Sequence, residues 1–219
     1  MTEARDMTER RRRLLAQTLR HAPFDGWTMT ALEAGARDLG LGLADALLLV
    51  PGGLRELAAF HHAEADRLML RGLGAQDLSG LKIRERVALA VRVRLEPHAK
   101  DREAIRRVLG FLAQPQNAPL ALRCLYRTVD AVWHAIGDRS TDFNFYTKRG
   151  LLAAVYGSTV LYWLEDKSEG QAETWQFLDR RIADVMKVPQ GLARLGKLAE
   201  RLPDPLRFLR MLRRGRDAA

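Results

Sequence analysis

The fold of this chain is decided by a stretch near its start, residues 27–53, which read WTMTALEAGARDLGLGLADALLLVPGG. Thr28 is a good helix N-cap, because its hydroxyl can accept a hydrogen bond from the backbone of the following turn. Leu32, Ala36 and Leu39 then share one face of a short helix. Gly40-Leu41-Gly42 ends that helix, and a second one from Leu43 to Val50 stops at Pro51-Gly52-Gly53. The stretch therefore predicts two short helices joined by a tight turn.

The segments around this pair predict an all-α fold. A first helix is expected from about Asp6 to His21 and a longer one from Leu54 to about Leu73. This layout resembles the helix-turn-helix head of the TetR-like regulators. The rest of the chain is rich in Leu, Ala, Arg and Glu and has no alternating strand pattern. We predict a TetR-like helical bundle, with a helix-turn-helix-like head over 1–80, a helical bundle over 81–191 and a basic amphipathic tail over 192–219.

The head lacks the chemistry of DNA recognition. Residues 43–50 read LADALLLV, with no Arg, Lys, Asn or Gln, whereas a helix that reads DNA presents such groups to bases and phosphates. The net charge of +9 suits nucleic acid, an anionic membrane or an acidic partner alike. We expect no nucleic acid partner and a head kept for packing or partner contact; a TetR-like regulator with a lipid effector is the alternative.

Neither catalysis nor metal binding is indicated by the sequence. Cys124 and His134 are ten residues apart, so a buried structural thiol is expected. His61 and His62 are adjacent, and neighbouring side chains on a helix diverge by about 100°, which argues against a shared metal ion. No phosphate loop, dinucleotide fingerprint or nucleophile elbow occurs. We therefore predict a protein that is not an enzyme and has no catalytic residue, cofactor or metal.

The segment from Asp138 to Asp166 combines features typical of a recognition surface. Residues 140–142 can cap the helix that follows, yet Lys148 and Arg149 fall in its first turns, where each cation is unfavourable by about 0.3–1 kcal/mol. Nearby acids such as Asp138 and Asp142, a ligand or an acidic partner must offset this. The aromatic residues within 143–146 cannot all face inward. We interpret the segment as a docking face; an ordinary capped core helix is the alternative.

Two further segments suggest contact with lipid. The helix from Leu120 to Ile136 is apolar on most sides, so it lies centrally or borders a cavity. In the tail, apolar and arginine side chains fall on opposite faces after Pro205, which is typical of an interfacial membrane helix; a solvated basic tail or a helix docked on the body is the alternative. The predicted membrane-binding residues are Leu206, Phe208, Leu209, Arg210, Leu212 and Arg213. No apolar run approaches the length of about 20 residues that a membrane span needs.

Several motifs together resemble a known family. STDFNFYTKR at 140–149, LLAAVY at 151–156, WQFLDRR at 175–181 and LLLVPGG at 47–53 are similar to the ubiquinone biosynthesis accessory family, the ninth Coq protein. The resemblance implies a TetR-like, usually dimeric protein that binds isoprenoid lipids in an apolar pocket. It also implies that the protein assists the di-iron hydroxylase that modifies the ubiquinone ring, and that its carboxy-terminal helix touches the membrane.

The resemblance also implies site residues. The patch facing the hydroxylase corresponds to Asp142, Phe145, Tyr146 and Arg149, and this chain departs from the family at Phe145, where Trp is frequent. The residues expected to line the lipid pocket are Leu122, Leu125, Val129, Trp133 and Tyr156. The partners are thus an isoprenoid or quinone lipid, the di-iron hydroxylase, the membrane surface and a second copy of the chain. Acidic residues among the arginines near the start argue against a mitochondrial presequence, so we expect a cytoplasmic protein or a mature form. Together with the resemblance, this predicts a bacterial-type protein associated peripherally with the inner membrane.

Overall fold

The computed structural model describes the backbone of residues 2–137 and 143–199, and the side chains of 5–137 and 147–187. Throughout these ranges the regular structure is helical, and no strand occurs in them. The α-helices are α1 (Thr2–Asp25), α2 (Met29–Arg37), α3 (Leu43–Leu49), α4 (Gly53–Gly74), α5 (Ile83–Leu95), α6 (Arg102–Leu112), α7 (Ala118–Ala135), α8 (Phe143–Glu165) and α9 (Ala172–Ala199). Short 3-10 turns span Glu96–Asp101, Pro115–Asn117 and Glu169–Gln171. The all-α prediction is confirmed.

Local signals in the sequence set the ends of the head helices. Thr28 caps α2, its hydroxyl accepting a hydrogen bond from the N–H of Ala31 at 3.4 Å. The N–H of Gly42 donates to Asp45 Oδ2 at 3.1 Å, which fixes the start of α3. Gly53 has a φ of 58° at the entry to α4, a conformation that glycine adopts without steric cost. The predicted helix–turn–helix pair is therefore present.

The core of the head is shared with a later helix. Leu14, Leu32, Val50 and Leu57 are fully buried in one cluster, and Val108 of α6 belongs to the same cluster. The head is thus closed by α6 and does not pack alone. The proposed boundary at residue 80 stays a prediction.

A buried polar network ties three helices of the bundle together. Arg94 of α5 donates from Nε to Asp66 Oδ1 of α4 at 2.8 Å. Thr128 of α7 donates to the same oxygen at 2.8 Å. Because one carboxylate oxygen accepts from two helices, the network fixes the positions of α4, α5 and α7 relative to one another.

The predicted ends of two helices differ from those observed. The first helix extends beyond Asp6–His21 to Thr2–Asp25 and includes Pro23. The sequence predicts a last helix that ends at Val188, before Pro189-Gln190-Gly191, and this is wrong, because α9 continues through these residues to Ala199. A proline removes one helical hydrogen bond and produces a kink more readily than an end. The domain boundary proposed at residue 191 stays a prediction.

The chain divides into two compact units, residues 1–179 and 180–219. In the second unit the described residues form the later part of α9, where Arg181 pairs with Asp184 at 2.7 Å. The predicted amphipathic tail helix lies outside the described residues. None of the described helices is long and apolar enough to cross a membrane.

Candidate functional site

A small internal cavity lies in the first unit, between α4, α5, α6, α8 and the turn Glu96–Asp101. Its volume is about 20 Å³. Its lining combines a polar side with an apolar wall, and the residues are His61, His62, Arg94, Leu95, His98, Ile105, Val108, Leu109, Tyr156, Val160 and Trp163. The lining has the mixture of apolar and polar groups that small-molecule sites have, but such sites enclose about 300–1,000 Å³, whereas this space is the size of a single water molecule.

Arg94 organises the polar side of this cavity. Besides its bond to Asp66, its Nη2 lies 3.3 Å from His62 Nδ1 and 3.3 Å from Thr128 Oγ1. Its guanidinium carbon lies 5.5 Å from the centroid of the Tyr156 ring. The positive charge of Arg94 is therefore balanced by the Asp66 carboxylate, and the face of its guanidinium group is covered by the Tyr156 ring.

Three histidine rings meet at this side. The rings of His61 and His62 lie edge to face at 5.6 Å, and those of His61 and His98 at 5.7 Å. Burial, followed by the charge of Arg94, lowers the pKa of His62 to about 3. Burial also lowers the pKa of His61 well below its usual value and lowers that of His98. All three rings are therefore neutral at pH 7.

This histidine cluster is not predicted by the sequence. His61 and His62 do diverge along α4, yet both line the same cavity, and the turn Glu96–Asp101 places the ring of His98 5.7 Å from that of His61. In the described part of the chain, no group of His, Cys, Asp and Glu is arranged to hold a metal ion. The adjacent histidines were a visible signal, but the position of His98 depends on tertiary packing.

The residues expected to line the lipid pocket do not share one position. Tyr156 lines the cavity, whereas Val129 and Trp133 are buried without lining it. Leu125 is half-buried. Leu122 is 66% exposed, so its expected place inside the bundle is wrong: α7 is apolar on two sides and only one of them is packed. The lipid-binding role of these five residues stays a prediction.

The two cations near the start of α8 are accommodated by α7. Arg149 donates from Nε and Nη2 to Asp130 Oδ1 at 2.9 and 2.6 Å, and the ammonium of Lys148 lies 5.7 Å from the centroid of the Trp133 ring. The offsetting groups thus come from the preceding helix and not only from acids next to the cap. Arg149 is 5% exposed, so its expected place on an open patch is wrong, and its contact with a partner stays a prediction.

The other predicted contact residues lie wholly or partly outside the described part of the chain. Phe145 and Tyr146 lie in the first turns of α8, but their side chains are outside the described part. Asp142 lies outside it altogether, and so do the membrane-binding candidates Leu206, Phe208, Leu209, Arg210, Leu212 and Arg213. Cys124 is buried, as predicted, and burial raises the pKa of its thiol.

The solvent side of α3 has no basic group. Ala44, Asp45 and Leu48 are its exposed residues, with Leu48 74% exposed. Arg10 and Arg13 of α1 border the same open groove as Leu48, and Arg11 of α1 donates from Nε to the carbonyl oxygen of Leu49 at 2.6 Å. The helix that occupies the DNA-reading position therefore presents an acidic and apolar face.

The fold defines the class of protein. The crystal structure of a TetR transcriptional regulator from Nitrosomonas europaea matches with a TM-score of 0.67, over 81% of this chain and 98% of that chain. The two sequences are 21% identical, so the match shows a shared fold. The chain has a TetR-like fold, as its helix–turn–helix layout predicted.

Sequence relatives then identify the family. Residues 118–189 match the COQ9 family model. The ubiquinone biosynthesis protein COQ9, mitochondrial, of Rattus norvegicus is 36% identical over 80% of this chain, and its Homo sapiens counterpart is 34% identical over 80%. COQ9-B of Xenopus laevis is 31% identical over 86% of this chain. This chain belongs to the COQ9 family, which confirms the resemblance of its motifs. It spans 58% of the rat relative's length and 57% of the human one's.

Proposed function

We propose that this chain serves ubiquinone biosynthesis as a non-enzymatic accessory protein. In this role it binds isoprenoid quinone precursors and presents them to the di-iron ring hydroxylase at the membrane. The observation that carries the proposal is the similarity to relatives named ubiquinone biosynthesis proteins, at 30–36% identity in four vertebrates. The TetR-like fold supports a binding role, because its regulators couple a helical bundle to a ligand.

The chemistry of the substrate explains why a binding protein is needed. A polyprenyl tail is held in the bilayer by about 25 cal/mol for each Å² of apolar surface, so moving it requires an apolar surface of protein to replace the lipid. The bundle offers the wall formed by Leu95, Ile105, Val108, Leu109 and Val160 beside a polar end. We propose that the precursor binds in this part of the bundle after the bundle opens, because the space of about 20 Å³ is smaller than a polyprenyl tail.

Presentation would use the start of α8 and the tail. The first turns of α8 hold Phe145 and Tyr146, and the pairs Arg149–Asp130 and Lys148–Trp133 fix this region against α7. We propose that Asp142, Phe145 and Tyr146 contact the hydroxylase and that Arg149 holds the surface in shape. The tail would dock on the membrane, and a second copy of the chain would complete the assembly.

A TetR-like transcriptional regulator with a lipid effector is the second candidate, and the fold favours it. The exposed face of α3 argues against it, because Ala44, Asp45 and Leu48 offer no donor for phosphates or guanine. Specific, salt-dependent binding to duplex DNA at nanomolar concentration would favour the regulator.

Cells that lack this protein provide the main test. Ubiquinone and its precursors are measured by mass spectrometry with the gene absent, restored, or restored with Tyr146→Ala. We expect ubiquinone to fall and a ring-modification precursor to accumulate without the protein. The intact gene should reverse this, and the variant should reverse it poorly while keeping its helical circular dichroism. Normal ubiquinone in the absence of the protein would contradict the proposal.

A further inference from the structure

Three buried nitrogen atoms around the internal cavity have no hydrogen-bond partner among the described residues: His62 Nε2, His98 Nε2 and Trp163 Nε1. All three residues line the cavity, and Trp163 is fully buried. They come from α4, the turn Glu96–Asp101 and α8, so distant parts of the chain contribute to one place. A buried polar group without a partner costs about 1–3 kcal/mol, so three around one space indicate a polar occupant.

The hydrogen-bonding character of two of these atoms follows from their surroundings. His62 Nδ1 lies 3.3 Å from Nη2 of Arg94, and arginine has only donors, so Nδ1 accepts and carries no proton. Because the pKa of His62 is lowered to about 3, the ring is neutral and its proton is on Nε2. His62 Nε2 and Trp163 Nε1 are therefore both N–H donors. His98 Nε2 can donate or accept, depending on its tautomer.

The charge of the lining selects a neutral occupant. Arg94 is the cation of the cavity lining, and its charge is paired with Asp66. A phosphate or carboxylate would need a cation of its own, because an unpaired buried charge is strongly unfavourable. The remaining wall consists of Tyr156 and aliphatic side chains. Two N–H donors beside an aliphatic wall fit an uncharged acceptor oxygen attached to an apolar body.

We propose that His62 and Trp163 bind a ring oxygen of a quinone-type headgroup, with His98 as a third contact. The inference rests on the proposed function and adds to it the chemistry by which the headgroup is recognised. The space of about 20 Å³ holds one oxygen atom, since a single water needs about 10–15 Å³ on the same measure. The ring behind that oxygen needs more room, and the turn Glu96–Asp101, which carries His98, is the short wall segment whose displacement would supply it.

The test uses the purified full chain and two ligands with the same geranyl tail. One is a dimethoxy-methyl-benzoquinone, and the other is geranylbenzene, which has no oxygen. Calorimetry measures both affinities, and the indole N–H signals of the 15N-labelled protein are followed by NMR. We expect the quinone to bind more tightly, and only the quinone to shift the Trp163 signal downfield.

Trp163→Phe removes one N–H donor from the cavity, and Trp175→Phe is its matched control. The indole of Trp175 donates to the carbonyl oxygen of Gly170 at 2.9 Å and does not line the cavity. We expect Trp163→Phe to weaken quinone binding about 5- to 10-fold, the effect of one hydrogen bond, and to leave geranylbenzene unaffected. Trp175→Phe should change neither affinity.

The outcomes separate this inference from the proposed function. Equal affinity for the two ligands, with the same Trp163 signal in both complexes, would mean that these nitrogens hold only water; the headgroup inference would be wrong while lipid binding stands. That comparison uses the unaltered chain, so it holds even if Trp163→Phe fails to fold. A chain that binds neither ligand would contradict the proposed lipid function and the inference with it.

Discussion

Charged residues near the start of α8 and inside the bundle are each matched by a partner far away in sequence. Arg149 pairs with Asp130 and Arg94 with Asp66, so residues 19 and 28 positions apart meet in partly or fully buried pairs. When one member of a buried ion pair is removed, the other is left as an uncompensated buried charge. The resulting loss of folding stability exceeds what the intact pair contributes. These arginines therefore act first as connections between helices.

Replacing Arg149 with methionine should destabilise the protein. Asp130, whose side chain is 33% exposed, would lose its guanidinium partner, and we expect unfolding to become easier by about 1–3 kcal/mol. The measurement is the midpoint of urea unfolding. Arg37→Met is the control, because Arg37 and Glu33 form a surface pair with side chains 74% and 52% exposed, and its loss should change stability by less than about 0.5 kcal/mol. Similar small effects from both variants would show that the buried pair is not a structural connection.

At the residue scale, the features that could be predicted from the sequence are those with a local cause. The cap at Thr28 and the burial of Cys124 follow from neighbours within a turn or two. The partner of Arg149 and the meeting of His62, His98 and Trp163 depend on how the helices pack, which no local pattern records. The exposure of Leu122 has the same origin, since an apolar α7 does not show which of its two sides is covered.

At the scale of helices, glycine and proline residues lie within a few positions of most of the helix ends described above. The exception is α9, which continues through Pro189-Gln190-Gly191. Glycine also sets how closely two helices approach. A Cβ atom on Gly35 of α2 would lie 2.6 Å from the backbone nitrogen of Thr18 in α1. Because the contact is with backbone, no side chain can move away to relieve it. The head therefore depends on a small residue at this position.

Gly35→Ala should push α1 and α2 apart. We expect it to destabilise the protein by about 1–3 kcal/mol, the usual range for overpacking. Gly110→Ala is the matched control, because a Cβ atom there meets nothing within 4 Å. Since alanine favours a helix interior over glycine by about 0.5–1 kcal/mol, this variant should be slightly stabilised. Thermal unfolding followed by circular dichroism compares the two. Equal shifts of the melting temperature would contradict the close approach of α1 and α2.

For the whole molecule, the fold and its use are separate questions. The head has the helix order of a DNA-binding regulator, yet α3 shows solvent an acidic and apolar face. Periodicity was enough to predict the all-α bundle, and the motifs at 140–149 and 175–181 were enough to indicate the family. The cavity and its neutral histidines could not be predicted, because they arise where five separate elements meet. In the proposed function, a fold shared with transcriptional regulators would serve as a carrier for an apolar ligand.

A carrier of membrane lipid needs contact with the bilayer, and the tail is our candidate for it. Deleting residues 206–219 should abolish most binding to vesicles that contain anionic lipid, because each basic side chain near such a surface contributes about 1 kcal/mol. A second variant, with Phe208, Leu209 and Leu212 changed to serine, keeps every arginine and removes three of the four side chains of the predicted apolar face. We expect it to bind weakly and only at low salt, since charge attraction alone is screened within about 10 Å at 0.1 M salt. Co-sedimentation at low and high salt measures both variants. Binding by the deletion variant equal to that of the full chain would exclude the tail as the membrane contact.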